Sequence, residues 1–268
     1  NVDLFKNHLL KVEDAFKQLS PDINLVNVIE KYQDFKDNLL AVQAVMFAVQ
    51  VSLAAYWQAL DIKASAVVGH SLGEISAAYV AGALTLADAA SIIYHRSILL
   101  QERLKGKGKM LIARISLENA QQIVASINDV SIAAVNSANS ITFAGSVQQI
   151  QVVQNLLNET QVSNKYLDLD YAFHSHQVAE VSGDLLLQLK NLKPLKPQIP
   201  VYSTSKQCLV TSKDTLVFDA EYWVDNLAKA VYFGPSIEAI LNAQPAGTVV
   251  FLEMACRDVL NPTIHQII

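Results

Sequence analysis

Cysteine is scarce here. The 268 residues hold two, Cys208 and Cys256. Two distant thiols make neither a metal-ligand spacing nor a disulfide framework, and each is expected to be a small buried residue rather than a reactive thiol. That usage points to a reducing, cytoplasmic setting. Charge is sparse too, at 17% of residues, with 25 acidic against 20 basic side chains. A net charge of −5 without a basic run excludes a nucleic-acid footprint. No apolar run approaches the roughly 18–20 residues of a membrane span; the longest, Val45 to Ala59, is broken by Gln50, Ser52 and Gln58. No signal peptide is visible at the start, nor any low-complexity segment or repeat of solenoid period. Hydrophobic residues, by contrast, make up 51%. That suffices for one large domain, or for one domain carrying a smaller insertion.

The most informative stretch is Gly69-His70-Ser71-Leu72-Gly73. It follows a short apolar run, Ala66-Val67-Val68, and precedes the Ala-rich segment Glu74 to Ala81. Strand, tight turn and helix form the context of a nucleophile elbow around G-x-S-x-G. Glycines at 69 and 73 are expected to relieve the crowding of the strained turn. Ser71 Oγ then stands at the carboxyl edge of a sheet. The Leu72 N–H, opening the next helix, points toward an oxyanion formed beside it.

In chain order, residues 1–38 read as largely helical, with Leu4, Phe5, Leu9, Leu10, Val12, Phe16 and Leu19 at helix-like spacing. Residues 40–60 predict a deeply buried helix, with an apolar stripe of Leu39, Val42, Val45, Met46, Val49, Leu53 and Trp57. Thr85 and Asp88 form a capping pair before the helix containing Arg96. After the linker Gly106-Lys107-Gly108 come strand 110–115, helix 117–127, strand 130–135, the turn Asn136 to Asn139, strand 140–144, helix 147–157 and strand 166–169. The order β-α-β-β-α-β is that of a ferredoxin-like unit. Residues 178–193 read as helical, the Pro-rich stretch 193–200 as an extended connector, 201–204 as a core strand, 222–227 and 236–241 as helical, and 248–253 as a buried strand. The fold class is α/β: an α/β-hydrolase-like core with a parallel sheet and an inserted ferredoxin-like small subdomain. The division is 1–106, 107–170 and 171–268.

A serine nucleophile needs a base. His8 lies in a polar stretch of a helix and His265 near the end of the chain, His95 adjoins Arg96 on a helix, and His70 is turned away from Ser71, lining the pocket at most. His174 and His176 lie at another strand-to-helix mouth, where open α/β sheets bind ligands; position alone favours neither. Asp168 and Asp170 are available as orienting acids, or a main-chain carbonyl serves instead. Arg96, in an Ala/Ile-rich helix, is either salt-bridged structurally or a bidentate clamp for a substrate carboxylate.

Gly69-His70-Ser71-Leu72-Gly73-Glu74 with Ala77 to Leu84 resembles the acyltransferase domains of modular polyketide synthases, which belong with the malonyl-CoA:acyl-carrier-protein transacylases. Gln43 to Gln50, Arg96 to Leu100, Ala134 to Ser137, Ala144-Gly145 and Tyr222-Trp223 with Asn226-Leu227 extend the resemblance along nearly the whole chain. It implies Ser71 as the acyl-carrying nucleophile and His174 as general base, oriented by a main-chain carbonyl near Asn226. It further implies Arg96 on a malonyl carboxylate and Leu72 N–H as one oxyanion donor. Leu72 and Phe173 resemble malonyl-selecting domains, since a bulky ring at 173 narrows the space beside the malonyl Cα; Tyr171, where histidine is usual, makes the motif a hybrid. The family opens with a strand and a G-Q-G loop carrying a second oxyanion donor, and this sequence starts after that point. Residues 255–260 depart from the usual Ser-Pro-His-Pro-type loop.

The resemblance implies ping-pong transfer of a malonyl-type unit, from coenzyme A or a carrier protein, to the phosphopantetheine thiol of an acyl carrier protein in polyketide and antibiotic biosynthesis. No cofactor is implied, and the expected partners are the carrier protein and a neighbouring ketosynthase domain. The competing readings are a serine thioesterase that edits carrier-bound acyl groups, with water as acceptor, and a non-catalytic carrier-docking domain.

Overall fold

The apolar stripe of residues 40–60 becomes the longest helix of the computed structural model, which describes residues 2–30, 37–245 and 247–268. It is preceded by α1 (Val2–Lys17) and α2 (Leu25–Glu30) and runs as α3 over Leu39–Ala59, capped by the Asn38 side chain on the Ala41 N–H. It is buried almost all round; Phe47, Ala44 and Ala48 are inaccessible, whereas Met46, expected in the stripe, is exposed. By length and composition α3 could cross a membrane, contrary to the expectation from its polar interruptions. It is a core helix here, because Ser52 meets His8 and Gln50 accepts from Ser76 within the protein. In α1 the buried apolar set is Leu9, Val12 and Phe16, while Leu4 and Leu10 face outward. The helical expectation over residues 31–36 lies outside the described residues.

The elbow follows as β1 (Val67–Val68) and α4 (Gly73–Val80), then α5 (Leu86–Leu104), with Thr85 capping the Asp88 N–H. The next stretch contains β2 (Gly108–Ala113), α6 (Leu117–Ser126), β3 (Val130–Ser137), β4 (Ser140–Ser146), α7 (Val147–Glu159) and β5 (Asn164–Tyr166). Their sheet has the order β3-β4-β2-β5, antiparallel throughout. Strand alternation buries Leu111, Ala113, Ile141 and Phe143 under α6 and α7. Several boundaries shift. β2 starts at Gly108, a residue expected in the linker, and ends at Ala113, not at 115. Asn136 and Ser137 belong to β3, and the turn is Ala138-Asn139. The last strand is Asn164–Tyr166, not 166–169, because Leu167 leaves the ladder after donating to the Met110 carbonyl. The Gly106 N–H donates to the Asp170 carbonyl (2.8 Å), so the chain enters and leaves this unit at one point.

The chain then forms a short 3-10 turn, His176–Val178, α8 (Ala179–Gln188), β6 (Val201–Ser203), β7 (Cys208–Val210), α9 (Ala220–Ala228), α10 (Phe233–Asn242) and α11 (Asn261–Ile264). β1 pairs with β6 in parallel, and β7 adds an antiparallel edge. Outside both sheets, Val231 makes an isolated parallel bridge with Ala134 of β3. Residues 248–253 form no ladder. Val249 and Phe251 pack inward while Val250 is 91% exposed, so the alternation of a strand is kept without a neighbouring strand among the described residues. Both cysteines are exposed, Cys208 on the edge strand β7 and Cys256 in a loop, contrary to the burial their residue type suggests.

Candidate active site

Ser71 occupies the left-handed region at φ 53°, a conformation costing a non-glycine residue about 1–3 kcal/mol and held only by its surroundings. Gly69 makes this possible: a Cβ there would lie 2.2 Å from the Gly73 carbonyl carbon. Gly73 is different. A Cβ there would meet nothing nearer than Gln50, at 4.0 Å, so only one of the two glycines relieves crowding. The turn is braced from below by Thr204, whose hydroxyl lies 3.0 Å from the Gly69 carbonyl.

His174 is also left-handed, at φ 58°. Its Nε2 lies 2.6 Å from Ser71 Oγ, and its Nδ1 lies 2.9 Å from the Lys229 carbonyl. A carbonyl only accepts, so Nδ1 carries the proton and the Nε2 lone pair faces the serine. The structure thereby separates the two histidines. His176 stands at the surface, 3.0 Å from the Asp129 carboxylate. Neither orienting acid reaches His174: Asp170 pairs with Lys109 at the surface, and Asp168 lies beside β5. Burial pushes the His174 imidazole down to about 3, with further lowering from the Arg96 and His70 charges; the Lys229 carbonyl opposes this. His174 is therefore neutral at physiological pH and able to accept a proton.

Arg96 is 3% exposed. Burial lowers its guanidinium to about 10, still protonated at neutral pH. Among the described residues its one side-chain partner is the Asn226 Oδ1, at 3.3 Å, and its Nε has no partner. The structural salt bridge open at the sequence level is not formed by the described residues. Asn226 also donates through Nδ2 to Glu74 (3.0 Å) and to the Ser71 carbonyl (3.4 Å).

The remaining candidates lie around this centre. His70 Nε2 is 2.9 Å from Asn136 Oδ1, and its ring packs on Phe233, which ties the elbow to β3. Burial lowers its basicity. Tyr171 and Phe173 stack, with centroids 5.0 Å apart and planes inclined by 10°. Leu72 is buried at the start of α4. A cleft of about 280 Å³ borders His174 between β3 and α8, lined by Ser131, Ile132, His176, Ala179 and Ala228. His8 and His95 lie elsewhere, on Tyr79 and Tyr94. Sequence reasoning missed Glu74, which is inaccessible and surrounded by Tyr222, Thr204 and Asn226. The argument applied to Arg96, a charge in an apolar helix, would have found it.

A family model described as "Acyl transferase domain" matches residues 1–266. The chain belongs to the acyl transferase domain family. Pikromycin polyketide synthase component PikAII of Streptomyces venezuelae is 39% identical over 225 residues, which is 84% of this chain and 6% of that protein. Component PikAIII of the same organism is 36% identical over 230 residues, 86% of this chain and 14% of that protein. The acyltransferase chain thus spans a small part of these relatives. The acyltransferase domain from module 8 of the salinomycin polyketide synthase superposes with a TM-score of 0.89 at 31% identity, covering 98% of this chain and 61% of that one.

Proposed function

We propose that this chain transfers a malonyl-type extender unit through a Ser71 acyl-enzyme to the phosphopantetheine thiol of an acyl carrier protein, as part of polyketide biosynthesis. The observation that carries the reading is the Ser71–His174 contact of 2.6 Å beside a buried Arg96 with no described acidic partner. Likeness to polyketide synthase components supports the substrate class and the partners, a carrier protein and a neighbouring ketosynthase domain.

In the first half-reaction His174 Nε2 takes the Ser71 proton as Oγ attacks the donor thioester carbonyl. The Leu72 N–H, at the α4 N-terminus, donates to the tetrahedral oxyanion. The C–S bond breaks, the proton on Nε2 passes to the departing thiolate, and the malonyl ester stays on Ser71. In the second half the carrier thiol attacks the ester, gives its proton to Nε2, and Ser71 leaves with it. Arg96 holds the free carboxylate through both halves. The Tyr171–Phe173 stack narrows the room beside the malonyl Cα and favours malonyl over branched units, a preference of about 1–3 kcal/mol per methylene. The cleft beside His174 supplies a path for the thiol arm. His70 and Asn226 line and support the pocket.

No cofactor takes part; coenzyme A and the phosphopantetheine arm are substrates. The division 1–106, 107–170 and 171–268 is our reading, supported by the Gly106–Asp170 bond at the neck of the small unit. Two exposed cysteines without a disulfide support a cytoplasmic setting.

Intact-mass measurement after incubation with malonyl-CoA tests the reading. The expected result is a malonyl adduct absent from Ser71→Ala and discharged faster by a phosphopantetheinyl carrier protein than by water. Discharge by water at an equal rate would make the protein a hydrolase, and no adduct from malonyl-CoA or a malonyl-carrier donor would refute acyl transfer.

A further inference from the structure

Glu74 is fully buried one helical turn after Ser71, and the proposed chemistry gives it no task. Its carboxyl oxygens face the Tyr222 hydroxyl, the Asn226 Nδ2 at 3.0 Å and, at 2.9 Å, the Thr204 hydroxyl, whose single proton is shared with the Gly69 carbonyl. Burial pushes its acidity toward the neutral form, and these hydrogen bonds, Tyr222 first, oppose that. A buried acid retained at such cost is more than packing material.

The consequence lies in the Asn226 amide. An amide has one accepting and one donating end. Glu74 and the Ser71 carbonyl both accept, so they draw the NH2 end toward the elbow. The oxygen end must then face Arg96, where it takes a hydrogen bond from Nη1. Among the described residues Arg96 is thus held by a neutral acceptor at a single nitrogen. Its charge is not neutralised, and the rest of its fork stays available to a ligand. A carboxylate at position 226 would hold the arginine more tightly but would occupy that fork.

We infer that Glu74 is a positioning residue that sets carboxylate selectivity: through the Asn226 amide it aims Arg96 at the acyl carboxylate without consuming it. This rests on the reading of Arg96 as the carboxylate clamp. The relay touches no reacting atom. Its effect falls on donors that carry a free carboxylate, whereas a brace that only supports the elbow affects all donors alike.

The test compares acyl loading from malonyl-CoA and acetyl-CoA by the full-length protein and its variants. Glu74→Gln keeps the shape but lets position 74 present an amide nitrogen to Asn226, so that only the weaker contact with the Ser71 carbonyl, at 3.4 Å, still directs the Asn226 amide. The malonyl-to-acetyl ratio of kcat/KM should fall about tenfold, mainly through the malonyl KM. Asn226→Asp places a carboxylate on Arg96, and its ratio should fall about 100-fold. Labelling of Ser71 by a neutral fluorophosphonate reports that the elbow survives in each variant.

Equal losses for both donors would overturn the relay and leave Glu74 as an elbow brace; an unchanged ratio in Glu74→Gln would overturn it as well. Should Glu74→Gln fail to fold, Asn226→Asp decides, and an unchanged ratio there counts against the relay. Arg96→Ala separates the two levels. An unchanged ratio in that variant removes the clamp itself, whereas a collapsed ratio there beside an unchanged one in Glu74→Gln removes only the relay.

Discussion

The β2–β5 unit and the elbow region show opposite designs within one chain. In the small unit the central β2–β4 ladder is regular, and irregularity is confined to β3, which shifts register against β4 at two places. β2 and β4 pair over six residues, from Gly108 opposite Ser146 to Ala113 opposite Ile141, and the buried face is apolar: Leu111, Ile141, Phe143, Ile150 and Val153. The elbow region has strands of two and three residues and buries Glu74, Arg96, Ser203, Thr204 and Asn226. It also holds Ser71 and His174 in left-handed backbone. Regular ladders need only alternating side chains, whereas a site that places charge and strain in a dry interior must brace each group individually. The small unit is therefore expected to carry stability, and the elbow chemistry.

The sharpest way to break that contrast is Gly69→Ala. Its Cβ would lie 2.2 Å from the Gly73 backbone and displace the nucleophile, so Ser71 acylation should fall by about 10²-fold or more, followed by intact mass. Near-normal acylation would mean that the elbow tolerates movement.

Phe143→Ala probes the other side. Phe143 is fully buried in the small unit, and its truncation should cost about 3–5 kcal/mol of stability. Urea or thermal unfolding measures this. Fluorophosphonate labelling of Ser71 below the melting point should stay near the wild-type rate, and a large loss there would show that the small unit shapes the elbow directly.

The pH response is smaller and has a definite sign. The folded His174 is held at about 3, below the usual value near 6.5. As pH falls through that window the unfolded chain binds a proton and the folded chain does not, so stability drops. The base stays unprotonated, so acylation should keep its rate between pH 7.5 and 5.5 as far as His174 is concerned. The urea midpoint of the wild type should fall more over this range than that of His174→Gln. Equal falls would contradict the assignment.

Gly73→Ala is the mildest change. Space is open at this helical position, so stability should change by less than about 1 kcal/mol, most simply as a small gain in melting temperature from helix propensity. A strong loss would restore the expectation that both elbow glycines are required.

The legibility of each region follows its physics. The β-α-β-β-α-β order was readable because period-two and period-3.6 apolar patterns are local, and Ser116 and Thr85 announce helix starts through their caps. The 248–253 run was misread, since its alternation is real but pairing depends on a neighbour that local pattern does not report. Met46 was misplaced for a similar reason: α3 is apolar nearly all round, so spacing does not select its outer face.

By itself the sequence determined that a serine sits in a G-x-S-x-G turn between strand and helix, that a histidine pair follows a later strand, and that a lone arginine needs a partner. Those are statements of type and order, carried by residues near one another along the chain. Only the tertiary structure decided that His174 rather than His176 faces Ser71, that Lys229 supplies the orienting carbonyl, and that Asn226 joins Arg96 to Glu74. Each of those choices depends on a distance between residues 55 to 152 positions apart, and such distances are set by how helices and sheets pack, not by local pattern.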